Sequence, residues 1–281
     1  MKPLIPFFQL ASIDVLGLAL SVPGLMTVLG CALGAVAALR AGRRHGLPGR
    51  EFLHLFPWLF FSLAIGSHLG SLLLYSPGWL VERPSALFHI WEGESSVGAI
   101  GLAIVCVAVF LRLRRAPLQE RAGADAVLRY ADALVLGASL GWLIGRLGCI
   151  AVHDHPGVES DFWLAIVGIC AHAPAAAACH DLGLEEALIC FACLVGLAWL
   201  QRRPSPAGWL TYTMGGTYGA SRFLLDFLRD PLGDSRYLGL TPAQYGGVAL
   251  ALLSWRGFMR LHRQRCRNLS CRTSEGRPTR G

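Results

Sequence analysis

The sequence predicts an all-α polytopic membrane protein with about seven transmembrane helices and a small extracytoplasmic insert. Three observations lead there. The chain is 54% hydrophobic and 15% charged, with a mean hydropathy of +0.49, where a soluble domain carries about 25% charged residues. Apolar stretches near the ~20 residues needed to cross a bilayer follow one another along the chain. Its basic residues, 24 arginines and one lysine, group between these stretches, so the net charge of +7 does not form the stripe of a soluble nucleic-acid binder. Neither a phosphate-binding loop nor a dinucleotide glycine fingerprint stands at a strand-to-helix junction, which sets soluble nucleotide enzymes aside.

Taken in order, residues 1–21 are apolar but contain Pro3, Pro6 and Asp14, have only Lys2 as a basic residue and show no small-residue cleavage site. A cleaved signal is therefore not expected, and IDVLGLALSV reads as a short strand or an interfacial segment. Seven spans are expected near residues 22–40, 52–75, 95–113, 127–149, 186–201, 208–228 and 241–260. Their glycines, as in VLGCALGAV and YTMGGTYGA, read as small-residue helix contacts. Arginines follow the first span (Arg40, Arg43, Arg44, Arg50), the third (Arg112, Arg114, Arg115, Arg121) and the fifth (Arg202, Arg203), while the other side carries Lys2, Arg83 and Arg236 apart from Arg229 at a span end. The positive-inside rule then puts the N-terminus outside and the C-terminus in the cytoplasm. The insert, about residues 151–185, has no lysine or arginine and is expected outside. Residues 1–260 form one transmembrane domain in this reading, and the basic tail 261–281 is expected to be disordered near anionic lipid.

The chain is organised around residues 131–154, ADALVLGASLGWLIGRLGCIAVHD. Between residues 134 and 150 its only ionisable side chains are Arg146 and Cys149. A cation at membrane depth costs about 2.5–3.5 kcal/mol on insertion scales, so it rarely stands there without a partner or an anionic ligand. Asp132, fourteen residues before the arginine of GRLG, resembles part of the signature helix of the bacterial prolipoprotein diacylglyceryl transferases. A second stretch, YGASRFLLDFLRDP at residues 218–231 followed by LTPAQ, is similar to that family's Tyr-Gly-x-x-Arg-Phe-x-x-Glu-x-x-Arg-x-Pro and its later Ser-Met-Gly-Gln. The resemblance covers residues 22–260.

The resemblance implies transfer of a diacylglyceryl group from phosphatidylglycerol to the thiol of a lipobox cysteine on a lipoprotein precursor, with no cofactor and no nucleic acid, in a multi-pass protein of the bacterial inner membrane. Arg146 and Arg222 match its two signature arginines. An arginine suits a leaving phosphate because its fork stays charged and holds two oxygens at once. Asp226 and Arg229, four and seven residues after Arg222, share its helix face, with Asp226 where the family usually has glutamate. Tyr218, Asp132 and Gln244 are carried over by motif. The same Arg222 and Asp226 also read as an intramembrane ion pair that steadies a helix, and Tyr218 as an interface aromatic.

The sequence departs from the family at the acid/base apparatus. The asparagine after the signature arginine is Cys149; the third span's Ser-Phe-His-Gly-Gly is SSVGAIG at residues 95–101, without histidine; the second span's arginine is His68; and His-Pro-Ser-Gln-Leu-Tyr-Glu is reduced to HDLGLEE, in which His180, Leu184 and Glu186 fit. VHDHPG offers a replacement base in His153 or His155, with Asp154 between them to fix a tautomer. The bland reading is a polar surface turn at Pro156 and Gly157. A metal reading competes: His153, Asp154 and His155 with Cys170, His172, Cys179, His180 and Asp181 offer enough ligands for zinc or copper. Their spacing fits no closed framework, Cys170 and Cys179 equally read as a disulfide, and no metal is assigned. The alternatives are a catalytically altered paralogue that binds anionic phospholipid or uses another acceptor, and a membrane transporter, although no internal repeat or paired broken helices are found.

Overall fold

The computed structural model describes residues 5–90, 93, 95–172, 174 and 176–275. The chain opens with a hairpin of β1 (Ser12–Val15) and β2 (Leu18–Ser21), paired antiparallel with Ser12 opposite Ser21. Its tip takes left-handed backbone at Leu16 and Gly17 (φ 55° and 83°), and the Gly17 N–H donates to Asp14 Oδ1 at 2.9 Å. IDVLGLALSV is thus strand and turn.

Ser21 then caps the first long helix, α1 (Val22–Arg44), by accepting from Gly24 N, with Pro23 in the first turn where its missing N–H costs nothing. α2 (Gly49–Gly70) ends in a π-helical turn at Ser71–Tyr75; a short α3 (Trp79–Glu82) and a 3-10 turn at Pro84–Phe88 lead towards α4 (Ser96–Leu113), which Ser95 caps through Gly98 N. A short α5 (Arg115–Ala122) precedes the central α6 (Ala126–Val152). The insert folds as three short antiparallel strands in the order β3 (Pro156–Glu159), β5 (Ala178–Asp181), β4 (Ile166–Val167), and the disulfide Cys170–Cys179 closes its loop. Asp181, the last residue of β5, caps α7 (Leu182–Leu200) by accepting from Leu184 N. α8 (Trp209–Leu225) runs into a 3-10 turn at Asp226–Leu228, and α9 (Pro242–Glu275) follows. α9 runs past Leu261, where the sequence places the start of the tail; residues 276–281 lie outside the described residues.

Helices occupy all seven expected places, but five rather than seven are long and apolar enough to cross a membrane: α1, α2 with its π turn, α4, α6 and α7. α8 has 17 residues and carries Arg222, and the apolar run of α9 lies between Gln244 and Arg256. Polar side chains that serve the interior therefore lower the hydropathy of these two.

Backbone-to-backbone contact at glycine builds the bundle. α1 lies along α6 so closely that a Cβ on Gly34 would stand 2.7 Å from the Gly137 carbonyl oxygen, and one on Gly30 2.5 Å from that of Gly141. Gly66 meets Gly98 between α2 and α4, and Gly219 meets Gly247 between α8 and α9, in the same way. Small residues at helix contacts are what a membrane interior favours, since lipid offers no hydrophobic drive between helices. Large apolar side chains such as Trp58, Phe61, Val105 and Trp255 point outward and stay exposed, the reverse of a soluble surface.

Candidate active site

α6, α7 and α8 meet at a buried carboxylate, Glu186, on the first turns of α7. Arg146 NH2 stands 3.0 Å and Arg222 NH1 2.9 Å from Glu186 Oε2, while Tyr218 OH donates to Oε1 at 2.6 Å and Trp142 Nε1 donates at 2.9 Å. Four donors around one buried carboxylate satisfy it fully, as burial of a charge requires. The chain of charges continues from Arg222 NH2 to Asp226 Oδ1 at 3.1 Å, then to Arg229 and on to Asp234. Three arginines thus alternate with three carboxylates. Asp226 is held from behind by Thr241, whose hydroxyl donates to it.

Thr241 and Gln244 form a reciprocal cap at the start of α9: Thr241 Oγ1 accepts from Gln244 N at 3.2 Å and Gln244 Oε1 accepts from Thr241 N at 3.0 Å. Gln244 Nε2 also donates to the Phe223 carbonyl at 3.3 Å. Gln244 therefore supports Asp226 from the far side. Asp132 lies elsewhere. It sits about 21 Å of helix away from Arg146 and caps α8 from outside, accepting from Gly208 N at 2.7 Å and from the Thr211 N–H and hydroxyl at 2.8 and 2.7 Å.

A cavity of about 2480 Å³ opens beside the charge chain and is lined by Arg146, Tyr218, Arg222 and Arg229 at one polar end, by small and apolar side chains of α1, α2, α4 and α6 along its length, and by Arg112, Arg115, Gln119 and Asp125 at the other end. Cys149, Asp154 and His155 line the same polar end. The two histidines of VHDHPG part company here. His153 ends α6 in left-handed backbone (φ 52°), which turns its ring inward, where Nδ1 lies 2.6 Å from Asp181 Oδ2 and Nε2 2.6 Å from the Phe8 carbonyl. Both partners accept, so both bonds form together only on the doubly protonated ring, which has no lone pair left to take a proton. His153 is a clasp between α6, α7 and the N-terminal segment, reinforced by Leu10 N donating to the Ala151 carbonyl at 2.7 Å.

His155 has the opposite character. Its Nδ1 lies 2.8 Å from the Asp154 carbonyl, which places the proton on Nδ1 and leaves Nε2 as the basic nitrogen, unengaged by any hydrogen bond among the described residues. Burial pushes the imidazole below its ordinary 6.5, and the Arg146 and Arg229 cations push it the same way against the opposing pull of Asp154. The ring is therefore neutral and able to accept a proton near pH 7.

The other ligand-type residues of the insert do not converge. Cys170 and Cys179 are bonded to each other, His180 pairs with Glu185, and His172 Nδ1 lies 2.6 Å from Asp230 Oδ2, tying the disulfide loop to the segment after Arg229. One trio does converge among the described residues: Cys149, Asp154 and His155, whose ligand-type atoms all lie within 4.8 Å of one another. His68 is buried in α2 with Nε2 3.2 Å from the Leu87 carbonyl.

Residues 11–260 match the family described as prolipoprotein diacylglyceryl transferase. The chain belongs to this family. Among its relatives is a protein of Roseobacter denitrificans named phosphatidylglycerol–prolipoprotein diacylglyceryl transferase, 28% identical over 85% of this chain and 88% of the relative. Proteins of the same name from Bordetella parapertussis, 30% identical over 78% of this chain and 80% of the relative, and from Cereibacter sphaeroides, 29% identical over 63% and 61%, are also similar.

Two contributors to the site escaped the sequence. Trp142 stands one turn before Arg146 on the same helix face and lies 4.9 Å from its guanidinium as well as bonding Glu186; the spacing of four carried that signal. Asp234, which closes the charge chain at Arg229, lies in a turn with no motif to mark it.

Proposed function

We propose that the protein transfers a diacylglyceryl group from phosphatidylglycerol to the cysteine thiol of a lipoprotein precursor, at the outer face of the bacterial inner membrane. The observation that carries this reading is the buried arginine–carboxylate chain at the polar end of a cavity large enough for a two-chain lipid, in a chain of this family. A buried ion network is costly to desolvate and stabilises little on its own. Its opening onto a lipid-sized cavity gives it a ligand.

The lipid phosphate binds the N–H groups that Arg146, Arg222 and Arg229 have left over from their carboxylates, and the acyl chains lie along the apolar wall. Glu186 fixes the two central guanidiniums so that their fork is set before the lipid arrives. His155 Nε2 takes the proton of the acceptor thiol, which is otherwise mostly protonated near its ordinary pKa of about 8.5. The thiolate attacks the glycerol carbon that carries the phosphate ester, the carbon–oxygen bond breaks, and glycerol phosphate leaves with its charge held by the arginines. Asp154 keeps the His155 tautomer through its carbonyl. The arginine-rich helix ends lie on the cytoplasmic side and the N-terminus outside.

Complementation of a strain depleted of its own transferase tests the reading. Growth and lipidated precursor are expected with the native chain and not with Arg146→Ala or Arg222→Ala, both of which also lose phosphatidylglycerol binding in native mass spectrometry. A correctly inserted chain that fails to restore lipidation overturns it.

A further inference from the structure

We propose that Cys149 is an internal acceptor: its own sulfur takes a diacylglyceryl group from phosphatidylglycerol and keeps it as a thioether. The inference rests on the lipid binding and base chemistry proposed above. Cys149 stands three residues after Arg146 on the last turns of α6, with Sγ 3.4 Å from Arg146 NH1. Asp154 and His155 bring their ligand-type atoms within 4.8 Å of it, and all three residues line the polar end of the cavity. A thiol, a base and the cation that would hold the leaving phosphate are therefore assembled in one place by a single chain.

A second observation points to a ligand there. Arg146 is only 5% exposed, yet its Nε has no hydrogen-bond partner among the described residues. A buried N–H is rarely left unmade without reason, and this one lies on a guanidinium lining the cavity whose NH1 and NH2 are engaged by Cys149 and Glu186.

Cysteine, aspartate and histidine also make a metal trio, but the Arg146 guanidinium against the sulfur opposes a divalent cation. The other thiols lack this setting. Cys190 is buried beneath Glu186, and Cys31 lines the cavity along its apolar wall on α1.

The step balances without any oxidant or co-reactant. His155 Nε2 accepts the Cys149 proton, a sulfur lone pair forms the bond to the glycerol carbon bearing the phosphate ester, that carbon's bond to oxygen breaks, and glycerol phosphate departs. A thioether sulfur is a poor leaving group, so the adduct is stable and each chain reacts once.

The test uses the purified full chain in vesicles of phosphatidylglycerol, once without acceptor and once with a lipobox peptide, read by intact-mass spectrometry, peptide mapping and release of glycerol phosphate. Without acceptor, one diacylglyceryl group per chain is expected on the Cys149 peptide with an equimolar release of glycerol phosphate, and complete loss of the adduct in Cys149→Ser. An unmodified Cys149 beside a diacylglycerylated peptide overturns the inference alone and leaves the transferase reading standing. Absence of both products overturns both. An adduct on Cys31 instead, or stoichiometric zinc that disappears in Cys149→Ser, also overturns it, and the first of these is decided on the native chain whatever the variant's folding.

Discussion

At the level of single residues, the two histidines flanking Asp154 are held in different ways, and their proposed roles are separable. His155→Ala removes the proposed base and is expected to lower turnover about 100- to 10,000-fold while phosphatidylglycerol binding persists. His153→Ala breaks the clasp to Asp181 and Phe8 and is expected to lower thermal stability in detergent more than it lowers turnover per folded molecule. The opposite pairing of effects would move the base to His153. Because His155 titrates below its ordinary 6.5, the base stays free as pH falls through the usual histidine range, and the acid limb of kcat/KM is expected below 6.5. The linkage has the same sign for stability: the unfolded chain takes up the His155 proton first, so this residue disfavours folding as pH drops below 6.5. A pH–rate profile with its acid limb above 6.5 removes His155. Sequence could not separate these two, because the left-handed turn at His153 that sends one ring inward and the other to the cavity is set by tertiary contacts with the N-terminal segment. Glu186 was legible only as a motif match. Its role as the common partner of Arg146 and Arg222 joins residues 40 and 36 positions away, which no periodicity reports. Glu186→Ala leaves two buried guanidiniums without their shared carboxylate and is expected to cost about 3–5 kcal/mol, with Glu186→Gln milder, as read by unfolding in detergent.

Among the elements, the helices were the most legible part of the fold, since long apolar runs are the strongest signal a membrane chain carries. The small-residue contacts in VLGCALGAV were legible too, and Gly30 and Gly34 are among the points where α1 touches α6. Gly34→Leu puts a branched side chain where a Cβ already stands 2.7 Å from the Gly137 carbonyl oxygen. It is expected to destabilise by about 1–3 kcal/mol or more, and Gly196→Leu on α7, where a Cβ would meet nothing within 4 Å, to leave the α1–α6 contact intact. Equal loss of helix-bundle stability in both would refute the close-contact account. The insert was less legible. Its strands hold two to four residues built partly from Pro, Gly and Ala, which are weak strand formers. They pair because the disulfide, the α6 cap and the α7 cap bring them together, and those constraints are invisible as local propensity. The reciprocal cap of Thr241 and Gln244 could have been read from Thr-Pro-Ala-Gln as a helix start.

For the whole molecule, the two ends of the bundle differ in charge, and this difference favours the proposed orientation, which can be measured. At one end Arg114 and Arg121 lie 3.8 Å from Glu51, Arg129 NH1 lies 3.4 Å from His45 Nδ1, and Arg44 reaches Gln201 at 3.5 Å, so the arginine groups that follow α1, α4 and α7 are gathered in one region. At the other lie the hairpin, the insert without lysine or arginine, and the polar end of the cavity. A membrane chain keeps its arginines in short loops on the cytoplasmic side, so the proposed orientation has the proposed base, the arginine chain and the disulfide outside. That side suits each of them, since a disulfide persists in an oxidising compartment and an acceptor cysteine on an exported precursor arrives there. A cysteine placed at Ser160 in the insert is expected to react with a membrane-impermeant maleimide in intact spheroplasts, while one placed at Gln119 in α5 reacts only after the membrane is opened. Both positions are half-buried, so a difference in burial does not decide the result. Labelling at Gln119 but not at Ser160 in intact spheroplasts inverts the orientation, and with it the side on which the transfer takes place.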